Sequence, residues 1–522
     1  MPTGQEQLLL TKDALGSQAD EGRRPEPRRD ALPQDWKELW KPPGEEPMHL
    51  DWLRLQKQSK ELAQEVELVD LRDEFGPLVG SVELRDEPVH RWLSYKEGFS
   101  PRLLGRVIDR LELVEGLHVV DAFGGVATTA LSGLVHPKVG EVRSVEYSPF
   151  ACFAGQTKLH WPDLDPGRLR KLLKQALAYD SRRAVEVPDL AAFNNEEIFP
   201  SDRIRELIRA RDHLYDLTGC DDPERDFFLL GLASVVEDLS GAIKDGRALR
   251  IKRTRKRRSS SLADAKPEVS VAGTVPRALA GQWSGMLADL DSLALAGKQT
   301  ADKQAFHLRG DARHLDRVTL YGEEPAFPDG WADLGLFSPP YLNCIDYTEV
   351  YKMELWMLKY ITNQHEFRET RLGTLRSHPS IRFSESKHFD DIKGDAIELI
   401  EGISDWVSSG GGRQEVGPVT KQYFEDMLQV WREQYRVLRD GAYAVCVVAN
   451  STFSRRKQDE QRARKEEWRI PLLTDVLLAH LALVAGFKSV QIWEARELRP
   501  RNVQAGRARE SLVVARKGPG AP

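Results

Sequence analysis

The sequence has few cysteines, and those it has are far apart. Only four of the 522 residues are cysteine, and none lies in a CxxC pair or in the Cys/His spacing of a zinc site. This excludes a secreted domain held together by disulfide bonds and a cysteine-based metal centre. We therefore expect a reduced, cytoplasmic setting and no bound metal.

The sequence also lacks a signal-peptide pattern and a segment long enough to cross a membrane. Its N-terminus shows no basic stretch followed by an apolar one. The most apolar late run, residues 471–487, contains Asp475 and His480 and is too short to span a bilayer. We expect this run to form a buried helix that ends at Gly486, and we expect no association with membranes.

An excess of positive charge is missing as well. The formal net charge is −6, so any contact with nucleic acid must come from a local basic patch and not from the field of the whole protein. The densest patch is "KRTRKRR", from Lys252 to Arg258. This run predicts either contact with phosphate groups or a solvated linker.

Strand and helix patterns alternate where the globular sequence begins. "GLHVVDAFGG" (116–125) predicts a strand that ends in a glycine-rich turn, and "VATTALSGL" predicts the helix after it. "GEVRSVEYSPF" (140–150) predicts a second strand, which ends at an acidic residue and leads into another helix. This order indicates an α/β fold of the Rossmann-like type with a mostly parallel sheet. The last pattern, residues 509–517, predicts an antiparallel C-terminal hairpin.

Composition divides the chain into four parts. Residues 1–45 are rich in charge, proline and glycine, which predicts a disordered N-terminal tail. Residues 46–160 form the first part of the α/β domain, and residues 301–518 form the second part. Between them, residues 161–300 are expected to be an inserted helical region that carries the basic run.

A predicted strand stops abruptly at "SPPY" (338–341). Proline fixes φ and has no amide hydrogen, so two prolines leave a stiff elbow with free carbonyl groups. In open α/β sheets, ligands bind outside the carboxyl ends of the strands. The elbow is therefore a candidate site, and the alternative is a loop terminator followed by a tyrosine of the core.

Taken in order, these segments resemble the DNA amino-methyltransferases that use S-adenosyl-L-methionine. The resemblance covers about residues 90–160 and 305–517, and two alanines depart from the usual pattern: Ala122 replaces a proline, and Ala127 stands where a third glycine is common. The segments that carry it are "EGFSPRLL" (97–104), "DAFGGVATT" (121–129), the acid that ends the second strand, "GDARHL" (310–315) and "SPPY" (338–341).

The resemblance implies a class I methyltransferase fold and a cofactor site at the first strand ends. Gly124 and Gly125 let the backbone approach a ligand, and the helix that follows favours a carboxylate at its N-terminus. Asp121 is then expected to orient the turn and hold the cofactor's ammonium group, and Glu146 to bind the ribose hydroxyls. The complete set of expected cofactor-binding residues is Phe99, Ser100, Asp121, Phe123, Gly124, Gly125, Thr128, Glu146 and Asp311.

The elbow is expected to hold the amine that becomes methylated. The Pro339 carbonyl and the Ser338 hydroxyl accept hydrogen bonds from the amine and favour a tetrahedral nitrogen. Tyr341 is expected to stack on a base that has been flipped out of the duplex. The expected catalytic residues are thus Ser338, Pro339, Pro340 and Tyr341.

Serine at the first elbow position makes the motif resemble that of cytosine-N4 enzymes more than that of adenine-N6 enzymes, where Asp or Asn is usual. Methylation of cytosine C5 needs a thiolate nucleophile, but no cysteine follows a proline here, and we expect Cys344 to be a packed residue. The favoured function is therefore a cytosine-N4 DNA methyltransferase. An adenine-N6 DNA methyltransferase, an RNA base methyltransferase and a catalytically silent nucleic-acid-binding protein remain as alternatives.

The expected partners are DNA and, in a restriction-modification or phage-defence setting, a restriction or defence protein. Two stretches are candidates for recognition of the target sequence, residues 161–300 and residues 362–419. The segment "IDYTEVY" (345–351), directly after the elbow, is a candidate for the wall of the base pocket.

Overall fold

The computed structural model describes residues 27–28, 48–187, 198, 201–244, 249–251, 274–295, 303–342, 346–409, 416–456, 467–498 and 508–519. Three predictions lie outside these residues. They concern the N-terminal tail apart from residues 27–28, the basic run from Lys252 to Arg258, and Cys344.

Nine strands form one central sheet, whose spatial order is β1-β2-β8-β9-β7-β6-β3-β4-β5. In chain order the strands are β1 (Pro27–Arg28), β2 (Glu67–Asp70), β3 (Leu117–Asp121), β4 (Val139–Glu146), β5 (Gln304–Arg309), β6 (Ala332–Phe337), β7 (Leu438–Ala449), β8 (Ser489–Leu498) and β9 (Ala508–Arg516). Neighbouring strands are parallel except for the pairs β1–β2, β8–β9 and β9–β7. The predicted Rossmann-like fold with an antiparallel C-terminal hairpin is therefore confirmed.

Fifteen helices surround the sheet in the described part of the chain. They are α1 (Met48–Gln64), α2 (Arg72–Phe75), α3 (Leu103–Arg110), α4 (Thr128–Val135), α5 (Pro149–Leu159), α6 (Pro166–Ala176), α7 (Ser201–Tyr215), α8 (Asp222–Leu239), α9 (Val275–Leu295), α10 (Tyr347–Val350), α11 (Lys352–Met357), α12 (Gln364–Gly373), α13 (Asp395–Ser408), α14 (Val416–Val437) and α15 (Thr474–Val484).

Short elements complete the description. The 3₁₀ turns are Val82–Arg85, His90–Trp92, Trp161–Asp163 and Leu315–Arg317. Three two-stranded ribbons pair Ala242–Lys244 with Leu249–Ile251, Thr319–Leu320 with Glu324–Pro325, and Ser451–Arg456 with Glu467–Leu472. Among the described helices, none is both long enough and apolar enough to cross a membrane.

The structure differs from the sequence expectations at two places. The apolar run 471–487 begins with the end of a strand, because residues 471 and 472 pair with the Ser451–Arg456 strand; its helix, α15, ends at Val484 and not at Gly486. Strands β1 and β2 extend the sheet beyond the C-terminal hairpin, although no strand was expected this early in the chain. β2 has only four residues, too few for a clear alternating pattern.

Both faces of the sheet are covered by helices. Alternate residues of the central strands point to opposite faces: Val120 packs with the cluster formed by α1 and α13–α15, and Val119 packs with α2–α4. Burial on both faces explains why β6, at the centre of the sheet, reads as an apolar run without alternation.

Helices α6–α9 lie in sequence between β4 and β5 and form most of a second hydrophobic cluster, which also includes residues of α5 and α11. A capping box starts α8, because the Asp221 side chain accepts from the Glu224 amide and the Glu224 side chain accepts from the Asp221 amide. Helices α8 and α9 meet at Gly231, where an added Cβ would overlap the indole of Trp283. The indole is fixed, since its Nε1 donates to the Phe228 carbonyl at 3.0 Å.

We predict opposite effects for two glycine-to-alanine changes in these helices. Gly231→Ala should lower the free energy of unfolding by about 1–3 kcal/mol, because the buried Trp283 must move. Gly285→Ala in α9 has open space around the new methyl group and should raise the free energy of unfolding by up to about 1 kcal/mol through helix propensity. Urea unfolding of both variants tests this, and equal shifts would contradict the packing at Gly231.

Candidate active site

A glycine-rich turn connects β3 to α4, and the side chain of His307 packs against it. A Cβ on Gly124 would lie 2.7 Å from Cε1 of His307, so only glycine fits there. The His307 ring lies 3.2 Å, through Nε2, from the Gly125 carbonyl and 2.7 Å, through Nδ1, from the Ser144 hydroxyl. Burial lowers the pKa of His307 to about 4, so this ring is neutral. The backbone of the turn is therefore positioned by side chains of β4 and β5.

Two residues of the turn have left-handed backbone conformations, Gly125 with φ 53° and Ala127 with φ 68°. The conformation at Ala127 explains why a glycine is common at this position in the family that the sequence resembles. Alanine adopts it at a cost of roughly 1–2 kcal/mol. Ala127 is fully buried and directly precedes α4, whose first residue, Thr128, lines the cavity above the turn.

Asp121, at the end of β3, anchors the turn. Its Oδ1 accepts from the Phe123 amide at 2.9 Å, and its Oδ2 accepts from the Thr129 hydroxyl at 2.5 Å. Only 2% of the residue is exposed. Burial raises the pKa of Asp121 to about 6, although both hydrogen bonds oppose this effect.

Glu146, at the end of β4, accepts two backbone hydrogen bonds. Its Oε2 accepts from the Gly125 amide at 3.0 Å, and its Oε1 accepts from the Ser148 amide at 2.7 Å. Burial raises the pKa of Glu146 to about 7, and the nearby charge of Asp121 adds to the effect. Glu146 thus ties the glycine-rich turn to the β4–α5 connection.

Asp311 follows β5, the next strand in the sheet. Arg313 holds its carboxylate, with Nη2 donating to Oδ2 at 2.7 Å and Nε donating to Oδ1 at 2.9 Å. The same guanidinium donates to Asp426 of α14 and to the Gly373 carbonyl. The Asp311 side chain is therefore fixed at the edge of the cavity.

The Ser-Pro-Pro-Tyr elbow follows β6, on the other side of β3. Ser338 and Pro340 line the cavity, and the Ser338 hydroxyl donates to the Val447 carbonyl at 3.2 Å. The Tyr341 hydroxyl donates to Oε1 of Glu510 at 2.6 Å, and its ring packs against the hydrophobic core. Burial raises the pKa of Tyr341 well above its usual range.

One cavity brings most of the expected site residues together, because the carboxyl ends of four adjacent parallel strands meet at one edge of the sheet. Among its lining residues are Phe99, Asp121, Phe123, Gly124, Gly125, Thr128, Glu146, Asp311, Ser338 and Pro340. Ser100, Pro339 and Tyr341 do not line this cavity. Ser100 is fully buried, and its hydroxyl donates to Glu83.

The segment after the elbow also lines the cavity, where Asp346, Tyr347, Thr348 and Tyr351 contribute. Asp346 caps α10 and accepts from Arg371 at 2.7 Å. Burial opposes ionisation of Asp346, but His378 and Arg371 lower its pKa below the usual value. Asp346 is therefore a charged wall of the cavity beside the elbow.

Two further stretches of the cavity wall had no expected role in the site: Tyr95, Glu97 and Gly98 in the first, and Gly373, Thr374, Leu375, Ser377 and His378 in the second. The acid Glu97 stands at the start of the quoted "EGFSPRLL" segment, so a signal was present, but it carried no assigned role. Residues 373–378 belong to no motif and reach the cavity only through the tertiary fold, in which Arg313 binds the Gly373 carbonyl.

The cavity is strongly acidic. Five of the described residues that line the cavity carry a carboxylate. No lysine or arginine is among the described lining residues. The five are Glu97, Asp121, Glu146, Asp311 and Asp346. Such a cavity suits a ligand with positive charge and several hydrogen-bond donors, and it disfavours a phosphate group.

Comparison with known proteins finds a similar sequence among methyltransferases. No family model matches the chain. The Type II methyltransferase M.BsoBI of Geobacillus stearothermophilus is 21% identical over 480 residues, which cover 86% of this chain and 87% of that protein.

Solved structures give only a weak likeness. The rRNA methyltransferase aviRa from Streptomyces viridochromogenes has a TM-score of 0.24 and 12% identity, over 80% of this chain and 85% of its own. A SAM-dependent methyltransferase from Methanosarcina mazei has a TM-score of 0.24 and 10% identity, over 79% of this chain and 98% of its own. The order and direction of the strands in the sheet define the Rossmann-like fold.

We predict that Glu146 makes stability depend on pH. Its pKa rises from 4.5 to about 7 on folding, so the folded state binds this proton more tightly than the unfolded state. The resulting stabilisation is complete below pH 4.5 and is lost as the pH rises to 7. Over that window the parent protein should lose about 3 kcal/mol relative to Glu146→Gln, which has no titrating group there.

Urea unfolding of the parent and of Glu146→Gln at a series of pH values measures this difference. Asp121 titrates in an overlapping range and is coupled to Glu146 by charge, so the difference between the two proteins includes the effect of Glu146 on Asp121. Two stability curves that run parallel from pH 4.5 to 7 would show that Glu146 keeps an ordinary pKa in the folded protein.

Proposed function

We propose that this protein is a methyltransferase that uses S-adenosyl-L-methionine and acts on an exocyclic amine of a DNA base, with cytosine N4 as the favoured position. The observation that carries the proposal is that Asp121, Glu146 and Ser338 face one acidic cavity at the carboxyl ends of β3, β4 and β6. The 21% identity to the Type II methyltransferase M.BsoBI along most of both chains supports methyl transfer, and the choice of DNA rests on the motifs that resemble the DNA amino-methyltransferases.

The cavity residues fit this cofactor. S-adenosyl-L-methionine carries a sulfonium and an ammonium group, which suit a cavity walled by carboxylates. Glu146 would accept from the ribose hydroxyls, and Asp311 would accept from the adenine amino group. Gly124 and Gly125 would allow the backbone of the turn to approach the cofactor closely.

The elbow supplies the chemistry that the substrate amine requires. The lone pair of an exocyclic amine is conjugated with the ring, which makes it a poor nucleophile. The Ser338 hydroxyl and the Pro339 carbonyl would accept hydrogen bonds from the two N–H groups of the amine and favour a tetrahedral nitrogen. The bound cofactor supplies an electrophilic methyl group. Transfer in line to the nitrogen then needs no covalent bond to the protein.

The Tyr341 ring is not a freely exposed surface on which a base could stack. Its hydroxyl is bound to Glu510 and its ring contacts the core, so the ring is held rigidly directly after Pro340. We propose that this rigid ring supports the flipped base, since stacking on an aromatic side chain is worth roughly 1–3 kcal/mol per base.

The proposed setting is a cytoplasmic restriction-modification or phage-defence system. DNA is then the main partner, and a restriction or defence protein is a second partner. The inserted region 161–300 and the stretch 362–419 remain the two candidates for recognition of the target sequence. Within the second stretch, Gly373, Thr374, Leu375, Ser377 and His378 line the cavity.

We predict that Asp121→Ala reduces the affinity for S-adenosyl-L-methionine at least tenfold. The change removes a buried negative charge and both hydrogen bonds that hold the turn. Asp109→Ala is the matched control, because Asp109 is an exposed acid of α3 and its loss should leave the affinity unchanged. Isothermal titration calorimetry measures both, and unchanged affinity in Asp121→Ala would remove this residue from the site.

We predict that the product on DNA is N4-methylcytosine. The protein is incubated with labelled S-adenosyl-L-methionine and either DNA or RNA, and the nucleic acid is then digested to nucleosides for mass spectrometry. N6-methyladenine would support the adenine-specific alternative, and label in RNA alone would support an RNA base methyltransferase. Recovery of 5-methylcytosine would exclude the proposed role of the elbow.

The same assay tests Tyr341. Tyr341→Ala should keep cofactor binding but lose at least tenfold in turnover on DNA, because the ring beside the base is gone. Tyr341→Phe keeps the ring and loses only the bond to Glu510, so its turnover should stay within a few-fold of the parent. Full activity in Tyr341→Ala would contradict the proposed support of the base.

A further inference from the structure

The cavity contains one carboxylate oxygen that the described protein leaves without a partner. Oε1 of Glu97 is buried, and no donor of the described residues lies within hydrogen-bond distance and angle of it. The other four carboxylates of the cavity each receive a hydrogen bond on both oxygens. Glu97 is therefore the acid whose bonding is incomplete until a ligand enters.

Neighbouring side chains hold the Glu97 side chain in place. The Tyr351 hydroxyl donates to Oε2 at 2.6 Å. The Tyr351 ring is itself held in place, because it stacks on Tyr95 with 5.1 Å between ring centroids and carries the Lys244 ammonium 4.3 Å above it. These contacts fix one oxygen of Glu97 and leave the other to the cavity.

No positive charge of the described residues is paired with Glu97. The Lys244 ammonium, whose charge acts on Glu97, forms its ion pair with Glu354. Burial raises the pKa of Glu97, although the Tyr351 hydroxyl, the charge of Lys244 and the backbone amides of Glu97 and Lys96 oppose this. A buried carboxylate without a cationic partner is unfavourable, and a ligand that brings a cationic donor to Oε1 relieves this cost.

Asp121 is less suited to this role than its place in the sequence suggests. Both of its oxygens already hold the turn, through the Phe123 amide and the Thr129 hydroxyl. Glu97 lies two residues before Phe99, which lines the same cavity. The structure therefore separates an acid that shapes the turn from an acid that is open to a ligand.

We propose that Oε1 of Glu97 accepts a hydrogen bond from the ammonium group of the cofactor's amino-acid portion. The inference rests on the proposed function and deepens it, because it assigns a binding residue that does not lie at the end of a strand. Its consequence is selectivity: Glu97 favours ligands that carry the ammonium group over adenosine thioethers that lack it.

The test compares three ligands on the parent protein and on Glu97→Gln. S-adenosyl-L-methionine has a sulfonium, an ammonium and a carboxylate. S-adenosylhomocysteine keeps the ammonium and the carboxylate but has a neutral thioether, and 5′-methylthioadenosine lacks all three charged groups. Glutamine keeps the size of the side chain and an acceptor for Tyr351. We expect Glu97→Gln to lower the affinity for the first two ligands equally, by roughly 10- to 100-fold, as for the loss of one charge-assisted hydrogen bond. The affinity for 5′-methylthioadenosine should fall by less than about threefold.

Each other outcome of the calorimetry overturns the inference in a distinguishable way. Equal losses for all three ligands would show that Glu97 only supports the fold, and a larger loss for S-adenosyl-L-methionine than for S-adenosylhomocysteine would place Glu97 at the sulfonium. Unchanged affinities would remove Glu97 from the site. If the parent binds none of the three, the proposed function itself fails. Glu115→Gln, a change of an exposed acid, is the matched control and should alter no affinity.

Discussion

The close approach of β3, β4 and β5 around the buried ring of His307 is the constraint on which the rest of the site depends. A Cβ on Gly124 or on Gly155 would press into this ring, so the turn and α5 both need glycine at the contact. The ring stays neutral because burial lowers its pKa, and it binds the Gly125 carbonyl without adding a charge. The backbone that Asp121 and Glu146 hold is thereby set in one arrangement.

A second constraint is electrostatic. Five carboxylates share one cavity, and burial raises the pKa values of Glu97, Asp121 and Glu146. Hydrogen bonds from backbone amides and hydroxyls compensate part of this cost, but they add no positive charge. The folded protein therefore stores unfavourable energy at the site, which a cationic ligand can recover on binding.

The helical region between β4 and β5 helps to form the wall of the cavity. Its hydrophobic cluster extends from α8 and α9 to Phe150 of α5 and to Tyr351, just before α11. The Lys244–Glu354 pair and the stack of Tyr95 on Tyr351 lie at the same boundary. The wall that positions Glu97 is thus built from three separate parts of the sequence.

The sequence by itself determined the mostly parallel sheet, its C-terminal hairpin, and the acids at the ends of β3, β4 and β5, because each depends on local pattern: apolar runs, glycine turns and the residue that ends a strand. The tertiary structure alone decided which acids still have a free oxygen. Asp121 and Glu97 are both acids beside a recognisable motif, yet one is fully bonded and the other is not. Hydrogen-bond partners from distant segments, such as Tyr351 and the carbonyl of Gly373, determine this, and no local pattern records them.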